Sequence, residues 1–278
     1  MLDREELIEQ AHFFKTLIER LADNIPMQDL LGSIREEVLA TTRLPMAIDF
    51  LRGELLHVGV MSSAMARLPH YFTPFQAYVM TEAESDRGRF DLRIGLQILA
   101  KEAEYRAAGG SLQGIFLYQF ETLCRNRLRY DKGLDAIAGD DVYPADWREW
   151  LSGVRRQIGI IDLADMIYVR SEHYLAMRAK QGERDPQPEK PILFGSQEGK
   201  IALANRRKDP LLLFAALQRQ LGYPAVPRPR PVEESPQLVP QLARRIERLE
   251  QRLKMMEEEQ RSGSIDITKF YGKPPGAE

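Results

Sequence analysis

Cysteine is almost missing from this 278-residue chain, which carries only Cys124. An intramolecular disulfide, a CxxC redox pair and a cysteine zinc site are therefore excluded. Long apolar runs are missing too. The longest, Leu211 to Leu217, is far short of the roughly 20 residues that cross a bilayer. The amino-terminal residues Met1-Leu2-Asp3-Arg4-Glu5-Glu6 are acidic and polar, where a signal peptide has a basic stretch and then an apolar one. Neither sign of charge dominates. Lys+Arg is 39, Asp+Glu is 41 and the formal net charge is -2, which argues against a nucleic-acid partner for the protein as a whole. There is no Walker loop, no GxGxxG after a strand, no GxSxG elbow and no HExxH. No repeat of fixed period is present. These absences lead to the expectation of a cytoplasmic protein with no membrane partner, no resident cofactor and no catalytic motif.

Hydrophobic residues make up 44% and charged residues 29% of the chain, a balance typical of a globular protein with a sizeable core. The expected fold class is all-α: a multi-helix globular domain over 1–222, a proline-rich linker over 223–237, a coiled-coil helix over 238–261 and a flexible tail over 262–278. Apolar residues recur at helical spacing nearly throughout. Leu7, Ala11, Phe14, Ile18 and Leu21 mark the inner face of a first helix over 3–22, which Asp3 can cap. A second helix over 27–41 carries Leu30, Leu31, Ile34, Val38 and Leu39, and a third runs over 45–61. Thr73-Pro74-Phe75-Gln76 is a capping box with proline at the first helical position, opening a helix to about residue 85. Further helices are expected over 90–107, 112–130, 146–158, 162–180, 197–207 and 210–221. A long mobile loop is expected from Gly182 to Ser196, and Gly222 is a helix stop. Tyr223-Pro224-Ala225-Val226-Pro227-Arg228-Pro229-Arg230-Pro231 favours extended polyproline geometry and marks the domain boundary.

The best-patterned element follows. Val239, Leu242, Ile246, Leu249, Leu253 and Met256 alternate in steps of three and four, an a/d heptad register. Val239, Ile246 and Leu253 take a, and Leu242, Leu249 and Met256 take d. Arg245 and Arg252 fall at g, and Glu250 and Glu257 at e of the following heptad. In a parallel assembly each arginine faces a glutamate of the next chain. Arg245-Ile246-Glu247-Arg248-Leu249-Glu250 resembles the Arg-h-x-x-h-Glu signature of short parallel trimeric coiled coils, where h is apolar. Arg252-Leu253-Lys254-Met255-Met256-Glu257 repeats it. The resemblance implies an oligomeric state alone. β-branched Val239 and Ile246 at a with leucine at d favour a dimer, whereas Leu253 at a departs from that pattern, so a dimer or a trimer is expected. The alternating start and two aromatics of residues 265–272 could engage a second protein, although a disordered terminus is the plainer reading.

Candidate chemistry is sparse. Two of the four histidines sit in Glu-x-x-His pairs, Glu9 with His12 and Glu54 with His57. On a helix such residues share a face, and two pairs could hold iron or manganese as in ferritin-like di-metal bundles. Polar pairs on amphipathic helices are the plainer alternative. His70 lies in an aromatic corner, and Cys124 lies among apolar neighbours. Arg125, Arg127, Arg129 and Lys132, and Arg206, Arg207 and Lys208, form two basic clusters at helix ends, where cations suit the dipole. The expected role is a non-enzymatic scaffold, adaptor or regulatory interaction protein, with a ferritin-like di-metal carboxylate enzyme or metal-binding protein as the alternative.

Overall fold

A computed structural model describes residues 2–23, 25–85, 90–181 and 190–229. The heptads, the tail and the rest of the proline-rich stretch lie outside the described residues. Among the described residues the fold is all-α, with thirteen α-helices and no strand. It has two isolated bridges, Ile158 with Ile161 and Ser171 with Phe194. No helix among them is long and apolar enough to cross a membrane.

Local signals start and stop many of these helices. The Asp3 carboxylate accepts the Glu6 amide at 3.0 Å and opens α1 (Arg4–Arg20). Buried on α1 are Gln10, Ala11, Phe13, Phe14 and Leu17, with Glu6 and Glu9 beside them. The inner face is thus turned from the expected stripe, and Leu7, Ile18 and Leu21 are only half-buried. The reason is electrostatic. Glu6 accepts the Arg43 amide at 2.8 Å and Glu9 accepts the Leu39 amide at 2.9 Å. Both carboxylates satisfy backbone donors of the connection that follows α2 (Met27–Glu37). That connection ends α2 four residues before the expected 41, with Val38 extended and Leu39 exposed.

The expected third helix is two. α3 (Leu44–Val58) stops at Gly59, whose φ of 81° lies in the left-handed region. α4 (Met61–Arg67) starts under the Glu84 carboxylate, which accepts the Met61 and Ser62 amides at 2.7 and 2.8 Å. The capping box forms as read, opening α5 (Pro74–Ala83). α6 (Leu92–Ala107) begins at an Asp91 cap and α7 (Leu112–Arg125) at a Ser111 cap. The chain then turns through Arg127 at φ 54°, which halts α7 short of 130 and frees α8 (Tyr130–Ala138), an element not anticipated.

α9 (Ala145–Gln157) follows. Where one helix is expected over 162–180, α10 (Leu163–Tyr168) and α11 (Glu172–Lys180) are separated by Val169, Arg170 and Ser171. The Arg170 carbonyl accepts the Leu193 and Phe194 amides at 2.9 and 3.1 Å, and the Glu172 amide returns to the Phe194 carbonyl at 3.0 Å. The returning segment thus takes over the hydrogen bonds of a helical turn. Residues 190–196, expected in a loop, include the buried Leu193 and Phe194. α12 (Ser196–Ala204) and α13 (Pro210–Leu221) complete the body, the latter between an Asp209 cap and Gly222 at φ 68°.

α1 packs along α6, α2 on α3, α8 on α9, and α10 on α12. One continuous apolar core runs from Phe13 to Val226. Its densest part joins Phe116, Trp147, Trp150 and Phe194. Edge-on geometry holds Phe116 to Trp150 at 4.9 Å and Trp150 to Phe194 at 5.2 Å between ring centroids. Such pairs add about 0.5–1.5 kcal/mol each beyond their buried area. The compact unit ends at Pro229, not at 222. Tyr223 is buried, with its hydroxyl 2.8 Å from Glu121 Oε2. The Lys101 ammonium donates to the Ala225 carbonyl at 3.0 Å, and the Asn126 amide to the Pro227 carbonyl at 3.1 Å. An extended proline-rich segment has no internal partners for its carbonyls, and these side chains supply them.

Candidate functional site

The structure separates the residues of the two Glu-x-x-His pairs. Glu9 is buried and occupied by the Leu39 amide, whereas His12 is exposed. Glu54 pairs with Arg67 at 2.6 Å, and His57 is exposed. Among the described residues no group of three or more His, Cys, Asp or Glu side chains is placed to hold a metal ion. The i, i+3 spacing puts each pair on a helix, but tertiary bonding draws the glutamates inward while the imidazoles stay in water. The residues expected to mediate oligomerisation, Val239, Leu242, Arg245, Ile246, Leu249, Glu250, Arg252, Leu253, Met256 and Glu257, lie outside the described residues.

Both basic clusters contain paired arginines. Arg125 bonds Glu121, Arg129 bonds Glu82, and Arg206 bonds Asp165 while lying 5.8 Å from the Tyr168 ring centroid. The Arg207 backbone amide donates to Asp162 at 2.8 Å. Burial pushes the Cys124 thiol up to about 11, against a bond to the Tyr130 hydroxyl that lowers it. A thiol so far above neutrality is almost wholly protonated and a poor nucleophile.

What sequence reading missed is a cavity of about 670 Å³. It lies between the start of α1, the corner at residues 69–73, the end of α6 with Gly109 and Gly110, the start of α7, and residues 139–142. His70 stands exposed on its rim. Gln10 and Gln76 form one side. The Gln76 amide donates to Gln10 Oε1 at 2.8 Å, and the Gln10 amide donates to the Tyr71 carbonyl at 3.2 Å. Gln76 also closes the capping box, so one side chain fixes both the helix start and the cavity wall. Tyr71 is buried among Glu6, Glu9 and Arg43, and its phenol is held far above its ordinary pKa, first by burial and then by the field of Glu6.

Arg106 and Asp140 line the floor and lead into a buried polar network. Arg106 donates to Glu102 Oε1 at 2.8 Å and also bonds Asp140. The Gln119 amide donates to the same Glu102 oxygen at 2.6 Å, and the Tyr143 hydroxyl donates to Gln119 Oε1 at 2.8 Å. Asp140 also accepts the Val142 amide at 3.0 Å. Two carboxylates share one guanidinium, which leaves one excess negative charge in a buried place. Burial raises the Glu102 pKa, and Arg106 opposes the rise. Arg106 is driven the other way. Burial works against its charge, but Glu102 and Asp140 outweigh it and raise its pKa. Most of these donors and acceptors are turned on one another. The floor therefore offers a ligand shape more than free hydrogen-bonding groups, and no nucleophile partnered with a base is among the residues described there.

A signal for the network was available. Glu102 and Arg106 sit four residues apart, and Glu102 follows Leu99 and precedes Ala103 on the inner face of α6. A charged residue in an apolar register position marks a buried polar group. No family model matches the chain, and neither a curated protein nor a solved structure is significantly similar to it.

Proposed function

We propose that this chain is a non-enzymatic scaffold, adaptor or regulatory interaction protein that self-associates through a parallel coiled coil over residues 238–261. The observation that carries the reading is the heptad register, with apolar Val239, Leu242, Ile246, Leu249, Leu253 and Met256 flanked by Arg245, Glu250, Arg252 and Glu257 in attractive g-to-e order. A strict two-position seam suits a second helix of the same kind. Under three heptads the segment is weak alone, and tethering to large bodies raises its effective concentration. One feature of the body supports a binding role, the 670 Å³ cavity. A cytoplasmic location and a second protein bound by residues 265–272 belong to the same proposal. The single cysteine favours that location.

Light scattering on the full chain tests it. A dimer or trimer should form as concentration rises through the micromolar range. Leu249→Asp should return the chain to monomer, because it buries a charge in the seam. Arg245→Glu with Arg252→Glu should weaken association, and adding Glu250→Arg with Glu257→Arg should restore it. A full chain that stays monomeric at high micromolar concentration overturns the proposal.

A further inference from the structure

A second cavity, of about 480 Å³, opens between α9, α10, α11 and residues 190–192. Among the described residues, Arg156, Arg170 and Lys190 line it, with Glu149 as the one carboxylate, and Arg178, which has an interaction of its own, also faces it. That excess is local, because the chain as a whole has a formal net charge of -2. Arg170 is the decisive group. The residue is 6% exposed, and its guanidinium lines the cavity. Its guanidinium donates to the Pro191 carbonyl at 2.9 Å. Among the described residues no carboxylate lies within ion-pair distance of it. None of its nitrogens is sealed away without a partner.

Buried charges in proteins are paired or lie against a bound counter-ion. The fold holds this one in place, since the Arg170 carbonyl carries the returning Leu193 and Phe194 amides. Burial lowers the Arg170 pKa, and Glu149 and Asp146 oppose this from a distance. The position is legible in retrospect. Leu163, Met166 and Ile167 are buried, and Arg170 occupies the next inward position of the same register.

We propose that this cavity binds a small organic anion carrying a phosphate group on an apolar body. Arginine presents a planar fork that matches phosphate oxygens in pairs, and the excess of cations suits a dianion. Trp150, Met166, Leu175 and Ile192 supply the apolar wall. Arg156 and Lys190 are exposed at the cavity and reach the anion from the solvent side. The volume lies within the range of about 300–1,000 Å³ usual for small-molecule sites.

Calorimetry and tryptophan fluorescence on the full chain test this, since Trp150 lines the cavity. Phenyl phosphate is the probe, with inorganic phosphate, phenol and citrate as comparisons. One sub-millimolar site per chain is expected for phenyl phosphate, at least about tenfold weaker binding of inorganic phosphate and citrate, and none of phenol. Arg170→Gln should weaken phenyl phosphate at least about tenfold. Because Arg170 also bonds the Pro191 carbonyl, the exposed pair Arg156→Gln with Lys190→Gln provides a second reading that leaves the fold alone, and should weaken binding about three- to tenfold. Arg206→Gln should change nothing. Absence of saturation at 10 mM (about 2.7 kcal/mol in binding free energy) overturns the proposal. So does binding indifferent to both sets of variants, or tighter binding of citrate. Binding seen only after Glu183, Asp185 and Glu189 are neutralised would mean that the chain's own carboxylates serve these cations, and would overturn it as well.

Discussion

Glu102 shows how one buried residue couples the body to pH. Arg106 and Gln119 both donate to its Oε1, and its Oε2 is buried without a hydrogen-bond partner. The bare oxygen is where a proton would sit. Burial raises the pKa above the ordinary carboxylate value of about 4.5. A carboxyl with a raised folded pKa contributes stability that is complete below its unfolded pKa and is lost as pH rises through the folded one. Glu102→Gln keeps the shape and removes that loss. At pH 4 the variant and the parent chain should therefore differ little. As pH rises toward 8 the variant should gain stability relative to the parent, because the raised folded pKa makes ionising Glu102 costly in the folded state alone. Urea denaturation of both chains at several pH values checks this. Parallel pH profiles would show that Arg106 and Gln119 hold Glu102 ionised at no cost.

Among the elements, α12 approaches the junction of α10 and α11 more closely than a side chain allows. A Cβ at Gly199 would lie 2.2 Å from the Ser171 hydroxyl oxygen and 2.7 Å from the His173 Cβ. Ser171 caps α11 by accepting the Tyr174 amide, so displacing it disturbs a second element. Gly199→Ala should cost about 1–3 kcal/mol, as overpacking does. Gly53, within α3, has nothing within 4 Å of its would-be Cβ, and Gly53→Ala should stabilise by about 0.5–1 kcal/mol. Denaturant midpoints of the two variants should move in opposite directions. The same contrast explains what could be read from sequence. Asp3, the Thr73 to Gln76 box, Asp209-Pro210 and Gly222 act within a turn of their own position, and each does as its residue type indicates. Gly59 stops α3 locally, but the restart at Met61 and the break at Arg170-Ser171 depend on Glu84 and Phe194, more than twenty residues away in sequence, so helical periodicity runs straight through them. Both cavities are of the second kind. Arg106 meets Asp140 across 34 residues, and Arg156, Arg170 and Lys190 belong to separate stretches.

The whole molecule turns on where the folded body stops. Composition changes after Gly222, and proline density places the boundary there, but residues 223–229 are held by the body. The Tyr223 ring lies edge-on to Tyr118 at 6.5 Å, and its hydroxyl meets the buried Glu121. Burial, with the field of Glu121 added, raises the Tyr223 pKa, so the phenol remains a neutral donor to that carboxylate. Removing it leaves a cavity beside Glu121, a carboxylate then held by Arg125 alone. Two shortened chains separate the possibilities. A chain ending at Pro229 should unfold at the same urea concentration as the full chain when both are dilute. A chain ending at Gly222 should lose about 3–5 kcal/mol, the usual cost of deleting a buried aromatic side chain. As concentration rises, the full chain alone should gain stability, because it alone carries the heptads and association stabilises by mass action. Equal stability of the two shortened chains would make 223–229 a spacer in energy as well as composition. A concentration-independent full chain would remove the basis for self-association while leaving the packing of Tyr223 intact.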